Sequence, residues 1–124
     1  MKFVFQSKFG NGEGNCFAAC IASLLEIDLD SVPDFYLLFQ ANWFDKFNEW
    51  LHPLGFSAII ISHHAIHQEV GLPSDCYYLM GGMSPRGIMH SVIGLDGKMV
   101  HDPHPSGEGL VNVDDYTFFV RTFR

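Results

Sequence analysis

Basic residues are scarce. Lys and Arg number seven against fourteen Asp and Glu, and the formal charge is -7. The seven are scattered, so no basic stripe exists to neutralise phosphates; neither nucleic acid nor an anionic membrane is an expected partner. Long apolar runs are missing as well. No stretch approaches the roughly 18 apolar residues of a membrane span. The opening MKFVFQSKFGNGEG lacks the apolar core of about 7–15 residues that a secretory signal carries. A cytoplasmic protein is therefore expected. Cysteine is sparse and odd in number, three in all, which fits poorly with a disulfide framework. In a reducing compartment the thiols stay free, and one is available for chemistry. There is no CxxC pair, no HExxH and no P-loop signature, so neither a metal nor an organic cofactor is expected. Repeats, low-complexity tracts and linkers are absent too.

What is present is apolar. Hydrophobic residues make up 48%, with twelve Phe, while charged residues make up only 17%. That balance opposes disorder and fills one compact core, so residues 1–124 are expected to form a single domain. No feature sets an oligomeric state.

The chain reads as helices first and strands after. A helix is predicted from about Asn15 to Glu26, with Asn15 as N-cap and Phe17, Cys20, Ile21, Leu24 and Leu25 on one buried face. A second is predicted over roughly Pro33 to Leu51, its aromatics Phe35, Phe39, Trp43, Phe47 and Trp50 recurring at helical spacing, with Pro53 and Gly55 ending it. Strands are predicted at Phe56 to Ser62, Asp75 to Met80, His90 to Gly94, Lys98 to Asp102 and Tyr116 to Phe123. Helices followed by a mainly antiparallel sheet make an α+β fold.

Cys16 opens the first helix directly after a Gly-rich stretch. Unpaired N–H groups and the positive helix end favour a thiolate there, and the thiolate is the nucleophilic form. The plainer reading, a small buried residue, suits Cys20 and Cys76 better. The segment HSVIGLDGKMVHD forms a hairpin with two available registers. A two-residue turn at Asp96-Gly97 pairs Leu95 with Lys98. A three-residue loop pairs Gly94 with Lys98, Val92 with Val100 and His90 with Asp102. The second matches apolar with apolar and a base with a carboxylate, and is the expected one. Asp102 then orients His90, and His90 withdraws the proton of Cys16. Gln6 is a candidate oxyanion donor beside the Cys16 N–H.

A Gln, a Cys opening a small-residue helix, a His on a strand and an Asp-Pro leading to a Gly resemble the papain-like cysteine peptidase superfamily. The nearest likeness is to the double-glycine leader peptidases of bacteriocin exporters. It is carried by FQSKFGNGEGNCFAACIASLLE (5–26) and HSVIGLDGKMVHDPHPSG (90–107), about a third of the chain. It implies a papain-like fold with helices packed on the sheet, and assigns Gln6 as oxyanion donor, Cys16 as nucleophile, His90 as base and Asp102 as its orienting carboxylate. The family usually has Gly after the nucleophile; Phe17 stands here instead and would reshape the leaving-group side of the cleft.

The segment GGMSPRG (81–87) precedes His90 and is expected to be a mobile loop lining the cleft, with Ser84 and Arg86 as substrate contacts. The loop His104 to Gly109 is expected to form the other wall. A zinc reading of Cys16 with Cys20, or of His63, His64 and His67, lacks ligand spacing. The expected reaction is attack of Cys16 on an amide or isopeptide carbonyl of a protein or peptide. Acyl transfer and deamidation share the thioester intermediate and stay open. So does a catalytically silent binding module, which solvent-exposed Trp43 and Trp50 would favour.

Overall fold

Seven buried residues, Phe17 to Ser23, give α1 (Cys16–Leu25) its wide apolar face. The helix stops where Glu26 turns left-handed, its N–H returning to the Ala22 carbonyl. The computed structural model describes residues 1–123, apart from the side chains of Glu69 and Val70. The second predicted helix is two. α2 (Phe35–Phe39) starts at Asp34, whose side chain accepts the Leu37 N–H, and α3 (Trp43–Leu51) follows a single tight turn. The break falls at Gln40, which adopts φ +50°. Apolar spacing runs on across it, so periodicity alone reads one helix. The kink turns Tyr36 back to stack on Trp43, with ring centroids 4.3 Å apart.

Five strands follow: β1 (Phe56–Ser62), β2 (Tyr77–Met83), β3 (Met89–Leu95), β4 (Lys98–His101) and β5 (Asp115–Arg121). They form one antiparallel sheet in the order β1-β5-β2-β3-β4. The fold is α+β, as its element order predicts. Alternation along the strands gives the sheet two apolar faces. Ala58, Leu79 and Ile93 pack with α1, α2 and α3. Tyr78, Met80, Val92 and Tyr116 pack on the other face with Ile66. Among the described residues, no helix is long and apolar enough to cross a membrane.

Three expectations about the strands are corrected. β2 begins at Tyr77 and runs through Gly81-Gly82-Met83, so half of the predicted 81–87 loop is strand. Cys76 sits in the bend before it and is exposed rather than packed. The hairpin takes the two-residue turn: Leu95 pairs with Lys98, and Asp96 and Gly97 both have positive φ, the primed turn that matches strand twist. A bulge between Ile93 and Gly94 then shifts the register, setting Ile93 against His101. His90 and Asp102 are thus not a cross-strand pair. β4 ends at His101, and Asp102 comes to His90 from beyond the ladder.

Candidate active site

α1 begins beside the free end of β3, and the helix start and the strand share a cavity of about 510 Å³. Cys16, Gln6, His90 and Ser91 all line it, as do Phe17 and Arg86. The dipoles of Ser91, the residue after His90, and the N–H groups of Phe17 and Cys16 act to lower the Cys16 thiol pKa. Burial nevertheless pushes the Cys16 thiol above its ordinary value, outweighing those donors. The expectation of a resting thiolate is reversed: the helix end is present, but desolvation is the larger effect.

His90 is 5% exposed, and its Nε2 lies 2.7 Å from Asp102 Oδ1. The carboxylate accepts the imidazole N–H, which leaves Nδ1 without a proton. Burial lowers the His90 pKa below its ordinary value despite the carboxylate and with Arg86 and His104 adding to the fall. Burial acts to raise Asp102, but the His90 hydrogen bond and the N–H groups of His104 and Gly109 overcome it. Those two N–H groups lie 2.9 Å from Oδ1 and 2.8 Å from Oδ2. The loop after β4 therefore folds around the carboxylate and fixes it. These directions favour a neutral thiol, a neutral imidazole and an ionised carboxylate at neutral pH.

Gln6 is 8% exposed. Its Nε2 donates one hydrogen to Lys8 O at 3.0 Å and keeps the second, while Oε1 has no partner. What sets the Gln6 segment is Asn15. The side chain of Asn15 makes no bond to its own helix. Its Oδ1 accepts from the N–H of Ser7 and Lys8, at 3.0 and 2.9 Å, and its Nδ2 donates to Ser7 Oγ. A residue expected as a cap instead ties the Gln6 segment to the start of α1.

Of the expected substrate contacts, Phe17 is 9% exposed and belongs mostly to the core, edge-on to Tyr36, Trp43 and Phe47. Arg86 lines the cavity and is held by Glu108 at 3.6 Å and Ser106 Oγ at 3.2 Å. Ser84 lies below that surface, 1% exposed in a tight turn closed by Gly87, and does not line the cavity. Cys20 is fully buried against α1's partner strand, its Sγ 3.5 Å from Ser91 O.

Comparison of the chain with protein-family models, curated proteins and solved structures finds no match.

Several lining residues carried no signal in the sequence. Asp34, Tyr36 and Trp43 arrive through the kink at Gln40, and Asp115 and Thr117 through the pairing of β5 with β2. His104 also lines the cavity, its ring centroid 6.2 Å from that of His90. Trp43 and Trp50 are half-buried against the helical core, not free on the surface. No group of three or more His, Cys, Asp or Glu suited to a metal ion occurs among the described residues. His63 and His67 instead bond the Tyr116 hydroxyl, at 3.0 and 3.3 Å.

Proposed function

We propose that this chain is a papain-like cysteine hydrolase that cleaves an amide or isopeptide bond in a protein or peptide. One observation carries the reading. Cys16 and a His90 already oriented by a buried carboxylate open into the same cavity, and Ser91, the residue next to His90, acts electrostatically on Cys16. With Nε2 committed to Asp102, Nδ1 is the nitrogen free to serve the thiol.

In this reading Nδ1 takes the thiol proton as sulfur attacks the carbonyl carbon. The new C–S bond displaces the π pair onto oxygen, where the spare Gln6 Nε2 hydrogen and the Cys16 N–H receive it. Collapse restores the carbonyl, breaks the C–N bond and passes the proton from Nδ1 to the leaving amine. Water, deprotonated by His90, then attacks the thioester; the C–S bond breaks and the thiol regains its proton. Because thiol and imidazole both rest neutral, proton transfer accompanies attack rather than preceding it. No cofactor enters any step. Three cysteines without a disulfide among the described residues also suit a reducing, cytoplasmic setting.

The test is appearance of new N-termini, read by mass spectrometry, when the protein is incubated with a proteome-derived peptide library. Cleavage by the native chain and none by Cys16→Ala supports the reading. Cleavage by both, or by neither, overturns it. Transfer of the acyl group to an added amine in place of water would redirect the reading to an acyltransferase.

A further inference from the structure

The cavity lining is rich in oxygen acceptors that have no donor. Asp115 opens β5 and pairs with Gly81, which pairs in turn with Ser91, so the three stand in one row on the helical face of the sheet. Gly81 leaves this row bare. A Cβ there would lie 2.6 Å from Asp115 Oδ1, so the carboxylate leans over Gly81 towards Ser91, which lines the cavity with Cys16. Asp115 has no ion pair or side-chain hydrogen bond among the described residues. Asp34 Oδ2 and Gln6 Oε1, on two other cavity-lining side chains, are buried without a partner, and Gln6 is more than nine-tenths buried. Arg86 is the one Lys or Arg lining the cavity among the described residues, and Glu108 already holds it.

Three unmatched acceptors ask for a ligand rich in donors and poor in acceptors. Ammonium and guanidinium groups are the side chains of that kind: three or five donors, no acceptor, and a positive charge. The stacked rings of Tyr36 and Trp43 also line the cavity, a surface against which a cation is attracted. Burial pushes the Tyr36 hydroxyl up to about 12, with the charges of Asp115 and Cys16 adding to the rise, so the three groups are within electrostatic reach of one another.

We infer that the site selects acyl donors with a cationic side chain, Lys or Arg, beside the scissile carbonyl, its charge held by Asp115 next to the Tyr36–Trp43 wall. This rests on the hydrolase reading and names its substrate class.

The experiment compares acetylated aminocoumarin amides of arginine and of its neutral isostere citrulline. The expected arginine preference in kcat/KM is about tenfold or more, falling about tenfold in Asp115→Asn. A wild-type preference for citrulline, or a ratio that Asp115→Asn leaves within about twofold, overturns the inference. A second arm needs no turnover. In a Cys76→Ser background, Cys16 is modified by a cationic and by a neutral methanethiosulfonate, each rate normalised to free cysteine. Asp115 should favour the cationic reagent, and Asp115→Asn should remove most of that advantage. Failure of every amide with a charge ratio that still depends on Asp115 sinks the hydrolase alone. Hydrolysis with neither ratio responding to Asp115 sinks the cation site alone.

Discussion

Asn15 is hydrogen-bonded to Ser7, eight residues back, instead of to the helix it precedes. The residue before the proposed nucleophile, Cys16, therefore fixes the segment that carries Gln6. Asn15→Ala removes two acceptor bonds and one donor bond, and leaves the N–H groups of Ser7 and Lys8 unpaired. A loss of roughly 1–3 kcal/mol in folding free energy is expected. In turnover, kcat should fall towards the loss expected for Gln6→Ala, about 10²–10³-fold, with KM changing little. Asn15→Asp keeps both acceptors and should recover most of the stability and of kcat. Equal loss in the Ala and Asp variants would show that Asn15 acts otherwise than by accepting from Ser7 and Lys8. Urea unfolding and steady-state kinetics supply both readouts.

A half-buried, raised thiol and a lowered imidazole that line one cavity have a pH signature. Exposed Cys76 would mask it, so iodoacetamide labelling is read in Cys76→Ser. Burial holds Cys16 above the ordinary thiol value, so its alkylation rate should climb mainly above pH 9. The kcat/KM profile should lose activity on its acid side below pH 6.5, because His90 must be neutral to accept the proton and its pKa is lowered. A preformed thiolate–imidazolium pair would give fast, pH-independent alkylation down to about pH 5. Observing that plateau would rule out the neutral resting state.

His90 also ties stability to pH. Its folded pKa is lowered from the ordinary 6.5, so the unfolded chain binds the proton first as pH falls. The contribution is complete above pH 6.5 and is lost as pH drops through the folded value. The urea midpoint should therefore fall between pH 7.5 and 5. In His90→Gln it should fall less, the other six His remaining in both proteins. An identical fall in the two proteins would remove His90 as the cause.

How much of this was legible beforehand depends on the range of the interaction. Cys16 at a helix start and the helix-then-strand order follow from local pattern, and α1 and β1 appear close to where spacing puts them. The His90–Asp102 contact forms, but not through the cross-strand register that the apolar pattern favours. The pairing pattern favoured apolar against apolar, while positive φ at Asp96 and Gly97 and a bulge at Ile93/Gly94 decided otherwise. Local pattern gives no view of desolvation, so the sign of the Cys16 shift was missed. Asp115 and Tyr36 reach the cavity through strand pairing and a helix kink, neither of which periodicity encodes.

The carboxylate of Asp102 leaves no room for an amide. Oδ1 accepts from His90 Nε2 and from the His104 N–H, and Oδ2 accepts from the Gly109 N–H. In Asp102→Asn one of these positions becomes an NH₂ group. Placed at Oδ2 it faces the Gly109 N–H, donor against donor. Placed at Oδ1 it faces the His104 N–H and turns His90 to the tautomer with hydrogen on Nδ1, which can no longer take the thiol proton. A drop in kcat of about 10²–10⁴-fold is expected, with a stability loss of roughly 1–3 kcal/mol. His90→Gln should cost as much in kcat, and the double variant should be no worse than either single one, because the two residues act as a unit. Additive losses in that cycle would mean that Asp102 serves the loop 104–109 alone, and that His90 needs no orienting partner.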